Sequence, residues 1–109
     1  MTNFSGKVAL VTGGGTGIGR GIAKRFAEAG MKLSLAGLEL ARSDANQYRG
    51  RQLGGYSAAQ EVALEIGNDA YAIDADVSDP AAVEAMMAQT IERFGRVDMV
   101  VHAAGVITA

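Results

Sequence analysis

Val8-Ala9-Leu10-Val11-Thr12-Gly13-Gly14-Gly15-Thr16-Gly17-Ile18-Gly19 is the stretch that decides the fold. Val8 to Val11 is a short apolar run of the kind that makes a strand buried on both faces, and the glycines follow at once. Beyond them Ile18, Ile22, Phe26 and Ala29 recur at helical spacing, so the order is strand, glycine turn, helix. Without a Cβ, Gly13, Gly17 and Gly19 can take positive φ and let backbone N–H groups approach a bulky anion. The helix starting near Gly17 points its unpaired N–H groups and the positive end of its dipole at the same spot, which suits a pyrophosphate. The competing reading is a strand-to-helix turn that merely needs glycine. A mononucleotide P-loop would need a Lys followed by Ser or Thr after the last glycine, and Arg20-Gly21 stands there instead.

The 109 residues suffice for one domain with a real core and are too few for two. A net charge of −2 gives no electrostatic case for nucleic acid or an anionic membrane as partner. The absence of cysteine removes disulfides, thiolate metal sites and thiol nucleophiles. No apolar run approaches the roughly 18 residues of a membrane span. Met1 to Leu10 lacks the apolar core of a secretory signal, because Lys7 leads straight into the first strand. The expected location is cytoplasmic.

Outward from the turn, the first helix is expected over Gly17 to Ala29, with Gly30 as a left-handed cap, and Arg20, Lys24, Arg25 and Glu28 on a solvated face. Lys32 to Gly37 is the second strand, with Leu33 and Leu35 on one face and Ser34 and Ala36 on the other. Periodicity then disappears over residues 38–56, a connection long enough to be either functional or a mobile surface loop. Ser57 and Gln60 form a capping box for a helix whose stripe is Ala59, Val62, Ala63 and Ile66, ended by Gly67. Tyr71 to Asp76 is the third strand. Asp79 caps a helix starting at Pro80, on which Val83, Met86, Met87, Thr90, Ile91 and Phe94 share one face, the methionines as packing. Gly95 stops that helix, and Val97 to Ala103 is the fourth strand, ending in His102-Ala103-Ala104-Gly105. Four strands alternating with three helices predict an α/β fold, a Rossmann-type doubly wound parallel sheet in which the fourth strand lies beside the first. The Thr12 to Gly19 turn and the His102 to Gly105 turn then face each other across the switch-point crevice.

The spacing Thr12-Gly13-x-x-x-Gly17-Ile18-Gly19 resembles the T-G-x-x-x-G-[IL]-G signature of the short-chain dehydrogenase/reductase family, an NAD(P)-dependent group. Asp76-Val77 matches the family's Asp-Val at the end of the third strand, whose carboxylate usually accepts from the adenine amino group. His102-Ala103-Ala104-Gly105 falls at the family's N-N-A-G, keeping its last two residues only. The resemblance covers the chain apart from residues 38–56, which read as an insertion. It implies a cofactor set of Thr12, Gly13, Gly15, Thr16, Gly17, Ile18, Gly19, Gly37, Leu38, Glu39, Asp76, Val77, His102, Ala103, Ala104 and Gly105.

Cofactor choice is divided on the same comparison. NAD enzymes of the family place an acid where Gly37 stands, and NADP enzymes often place Arg where Leu38 stands. Glu39 can substitute for the acid and repel a 2′-phosphate, whereas Arg42, Arg49 or Arg51 can pair with one bidentately. Thr16 is not the basic residue often seen there in NADP enzymes, so the balance leans to NAD. Asp74 and Asp76 lie two apart at one strand tip with nothing beside them to make a metal site.

The family's reaction is hydride transfer between a nicotinamide and an alcohol or ketone, run by a Ser and a Tyr-x-x-x-Lys beyond the N-N-A-G position. Here Tyr48 is followed four residues on by Gln52, Tyr56 by Gln60 and Tyr71 by Ala75. No catalytic residue is therefore assigned, and residues 1–109 are expected to be a truncated, inactive cofactor-binding domain of an enzyme that is commonly a homo-oligomer. The alternative is a stand-alone nucleotide-binding or interaction module. The apolar fourth strand, left as an edge, favours truncation.

Overall fold

The computed structural model describes residues 4–13, 15, 17–37, 55–76 and 78–103. Its elements are β1 (Val8–Thr12), α1 (Gly17–Glu28), β2 (Lys32–Gly37), α2 (Gly55–Ile66), β3 (Ala70–Asp74), α3 (Pro80–Phe94) and β4 (Met99–His102). The strands form one parallel sheet in the order β3-β2-β1-β4. The chain steps outward through β2 and β3, then returns by α3 to place β4 on the far side of β1. That reversal makes the sheet doubly wound, with its switch point between β1 and β4.

Every residue of β1 is buried, as expected for a strand covered on both faces. Ala9, Val11, Leu33 and Leu35 face α1 and α2, where they meet Ala23, Ala59 and Val62. Leu10, Ala36 and Ile73 face α3 and pack on Met86. Leu33 and Leu35 are fully buried, each side chain worth roughly 1.5–3 kcal/mol in transfer from water. Buried hydroxyls between the sheet and α3 are satisfied internally: those of Ser34 and Thr90 are bonded at 2.9 Å, and Thr90 also donates to the Met86 carbonyl at 2.8 Å.

Helix ends follow their punctuation. Asp79 accepts from the Ala81 N–H at 3.1 Å with Pro80 in the first turn, and Gly95 closes α3 at φ +91° with its N–H on the Ile91 carbonyl. Gly30 and Gly67 take φ of +87° and +105° after α1 and α2.

Five boundaries and faces differ from expectation. The 38–56 connection is shorter by Gly55 and Tyr56, which belong to α2, so Ser57 lies inside the helix rather than at its cap. β3 runs from Ala70 to Asp74, so Asp76 stands beyond the strand, and β4 is confined to Met99–His102. Ile18 is 78% exposed, outside the buried stripe to which helical spacing assigned it. Gly19 and Ala23 are the buried residues of α1. Ile91 is half exposed at the margin of the α3 face.

Candidate functional site

The carboxyl ends of the strands are held together beyond the strands themselves. Gly13 N–H donates to the Ala36 carbonyl at 2.7 Å, Ala75 N–H to Gly37 at 3.1 Å and Ala103 N–H to Thr12 at 3.1 Å. These bonds set the bases of the Gly13 turn, the β2 tip, the Asp76 loop and the His102 turn along one edge. Such an edge, at a switch point, is where open α/β sheets bind ligands.

Gly13 and Gly17 have φ of +72° and +56°, conformations in which a side chain is strained. Among the described residues a Cβ on Gly17 would meet nothing within 4 Å. The first turn of α1 carries no acidic residue to compete for its N–H groups, and Ile18 stands exposed beside it. The residues present thus fit a bulky anion with an apolar neighbour: positive-φ glycine backbone at a helix N-terminus.

Two glycines serve a different purpose. A Cβ on Gly15 would lie 2.5 Å from Ala59 N and 2.6 Å from the Ala58 carbonyl carbon, and a Cβ on Gly37 would lie 2.5 Å from the Gly55 oxygen. The start of α2 therefore rests directly on the glycine turn and on the β2 tip. Sequence reading assigned Gly55, Ala58 and Ala59 no part in this region. The available signal was the run of small residues Gly54-Gly55 and Ser57-Ala58-Ala59, which permits backbone-to-backbone approach.

At the other two strand tips the geometry is polar. Asp76 Oδ1 accepts from the Ser78 N–H at 2.9 Å and the Ser78 hydroxyl at 2.6 Å, bonds that hold its carboxyl below the usual carboxylate range, the hydroxyl contributing most. Thr12, buried at the end of β1, places its hydroxyl 3.0 Å from His102 Nδ1 and 3.4 Å from the Val101 carbonyl. The imidazole of His102 is thus bonded to the neighbouring strand.

Of the expected site residues, Thr12, Gly13, Gly15, Gly17, Ile18, Gly19, Gly37, Asp76, His102 and Ala103 fall along this edge. Thr16, Leu38, Glu39, Val77, Ala104 and Gly105 lie outside the described residues, as do Arg42, Arg49 and Arg51. Among the described residues no cluster of His, Cys, Asp or Glu could hold a metal ion, and no helix is long and apolar enough to cross a membrane. Arg20 and Lys24, expected on a purely solvated face, both pair with Glu65 at 3.2 and 2.6 Å and tie α1 to α2. A groove of about 690 Å³ beside β3 is lined by Tyr56, Leu64, Tyr71 and Arg93, among others, and includes no residue of the glycine turn.

A family model described as short chain dehydrogenase matches residues 7–109. Levodione reductase of Leifsonia aquatica is 40% identical over 107 residues, which cover 96% of this chain and 35% of that protein. Among solved structures, the 3-ketoacyl-(acyl-carrier-protein) reductase of Brucella melitensis complexed with NADH is similar with a TM-score of 0.73 and 37% identity, over 89% of this chain and 33% of that one. A short chain dehydrogenase/reductase of Burkholderia phymatum in complex with NAD has a TM-score of 0.67 and 32% identity, over 92% of this chain and 31% of that one. The chain spans about a third of the length of the relatives it matches.

Proposed function

This chain belongs to the short chain dehydrogenase family, and from that premise we propose that it forms the dinucleotide-binding part of a longer oxidoreductase acting on an alcohol or ketone. The observation that carries the reading is the pair of positive-φ glycines, Gly13 and Gly17, at the α1 N-terminus beside the β1/β4 switch point. The nicotinamide supplies the hydride acceptor or donor when bound; the residues of this chain bind and orient it. Gly13, Gly17 and Gly19 hold the pyrophosphate by backbone N–H groups, with Gly15 and Thr16 completing the turn and Ile18 alongside. Asp76, followed by Val77 and steadied by Ser78, would accept from the adenine amino group. The His102-Ala103-Ala104-Gly105 turn flanks the ribose. The Ser and Tyr-x-x-x-Lys of the chemistry belong to the rest of the parent protein, which we read as a soluble cytoplasmic homo-oligomer.

NAD is the favoured cofactor. Gly37 offers no acid, and the Gly55 carbonyl occupies the space from which one would project. Recognition of the ribose 2′ position therefore falls to Leu38, Glu39 and the residues after them, where the charge of Glu39 opposes a 2′-phosphate. Calorimetric titration of the intact protein with NAD and NADP separately tests this. Saturable binding, tighter for NAD and lost in Gly17→Val, is expected. Absence of binding to both refutes the site, and tighter NADP binding refutes the role of Glu39 in favour of Arg42, Arg49 or Arg51.

A further inference from the structure

We propose that the backbone carbonyl of Gly55 stands in for the missing acid of the β2 tip and accepts the hydrogen bond of the adenosine ribose 2′-hydroxyl. The inference rests on the dinucleotide reading above and names an acceptor within that site. In doubly wound folds a carboxylate about 20 residues past the glycine turn takes this hydroxyl, and the residue that ends β2 here, Gly37, has no side chain to do so.

Gly37 belongs to the edge that carries the glycine turn. It follows Ala36, whose carbonyl accepts from the Gly13 N–H at 2.7 Å, and its own carbonyl accepts from the Ala75 N–H at 3.1 Å. The first turn of α2 lies across both parts of that edge: a Cβ on Gly15 would be 2.5 Å from Ala59 N, and a Cβ on Gly37 would be 2.5 Å from the Gly55 oxygen. Standard C–C and C=O lengths put a carboxylate oxygen about 2.4 Å from its own Cβ. The Gly55 oxygen therefore stands as far from that point as the acceptor of an aspartate at position 37 would.

A backbone carbonyl is equipped for this exchange. Inside an α-helix it accepts one N–H from four residues on, and a second lone pair is left for another donor. A ribose hydroxyl can donate to it, whereas an ionised 2′-phosphate has no proton to give. Gly55 opens α2 at φ +76°, a conformation that side chains strain, so glycine is needed at the residue whose carbonyl lies against the β2 tip. Two carboxylates are the rival acceptors: Asp74, in register with Gly37 on β3, and Glu39, which lies outside the described residues. Among the described residues the three heavy atoms nearest a Cβ on Gly37 all belong to Gly55.

The test compares, by calorimetry on the intact protein, the affinity for NAD with that for its analogue lacking the 2′-hydroxyl of the adenosine ribose. NAD should bind about three- to tenfold tighter, as for one neutral hydrogen bond. That ratio should persist in Glu39→Gln and in Asp74→Asn, whatever their absolute affinities. It should fall toward one in Gly37→Ala, whose methyl displaces the Gly55 carbonyl. It should fall likewise when Tyr56 is replaced by its α-hydroxy acid analogue, which turns the Gly55 carbonyl into that of an ester, a poorer acceptor; this variant carries the test should Gly37→Ala fold poorly. A ratio of one in the parent protein, a ratio lost in Glu39→Gln or Asp74→Asn, or a ratio kept in the folded ester variant overturns the proposal, as does tighter binding of NADP than of NAD. Failure of NAD and NADP alike to bind overturns the dinucleotide reading itself, and this inference with it.

Discussion

Replacing Gly37 with alanine isolates the contact that gives this site its unusual β2 tip. The glycine is not at positive φ, so backbone strain plays no part and only the new methyl matters. That methyl would sit 2.5 Å from the Gly55 oxygen, 2.6 Å from its carbonyl carbon and 3.2 Å from its Cα. All three are backbone atoms at the start of a helix, so no side chain can swing away. Restoring ordinary contact requires the first turn of α2 to retreat by roughly 1 Å, against packing that buries Ala59 and Val62. Overpacking of this kind costs about 1–3 kcal/mol. Chemical denaturation of the intact protein should show a loss in that range for Gly37→Ala and at least as much for Gly37→Asp. The latter should gain no NAD affinity, although it restores the acid of the family pattern. Gly21→Ala is the matched control: its methyl meets nothing within 4 Å on the exposed side of α1, and helix propensity predicts a gain of about 0.5–1 kcal/mol. If Gly37→Ala unfolds like the parent, α2 does not close the β2 tip and the explanation of the missing acid is wrong.

Asp98 accepts from the Val8 N–H at 2.9 Å and from Arg96 at 2.6 Å, and these bonds, the backbone one foremost, hold its carboxyl below the ordinary range. Its contribution is therefore present above the unfolded carboxylate value, near pH 4, and lost as pH falls through the lower folded value; Asp98→Asn should flatten the acid limb of a stability-versus-pH curve. Ser78→Ala removes the hydroxyl that steadies Asp76, and should weaken NAD binding several-fold at unchanged melting temperature, read by calorimetry and thermal denaturation together. Gly37 and Gly55, which flank residues 38–54, lie in close approach. A short Gly/Ser linker between them should keep the circular dichroism spectrum. Its effect on the NAD/NADP ratio would show which charge in that segment matters.

The local parts of this fold were legible because each had a periodicity and a stop. β2 falls on Lys32–Gly37 as alternation predicts, and α3 starts and ends at Asp79-Pro80 and Gly95. The strand order also followed, since a parallel sheet with crossover helices leaves few arrangements. What stayed hidden depended on contacts distant in sequence. Ile18 has the right spacing for a buried stripe, but spacing cannot say which side of the first turn of α1 meets the sheet, and there it is Gly19 that is buried. The contact of α2 with Gly15 and Gly37 joins residues separated by the one segment without periodicity. Thr12 and His102 are each unremarkable in sequence, and become a pair only when β4 is laid beside β1.

The glycines along this edge answer two different requirements, and separating them accounts for how the site departs from its family pattern. Gly13 and Gly17 are needed for their φ, and they are the positions the signature specifies. Gly15 and Gly37 are needed because another backbone lies against them, and they stand where the signature allows any residue or expects an acid. The second pair has one cause, the seating of α2 across the turn and the strand tip. A helix placed there excludes side chains from both positions at once, so neither an acid at the β2 tip nor a large residue at position 15 can be accommodated. On the proposed dinucleotide reading, discrimination between cofactors then falls to groups that enter around α2 rather than beneath it. That makes the residues next to Gly37 and Gly55 the place where changes should alter cofactor preference without disturbing the glycine turn.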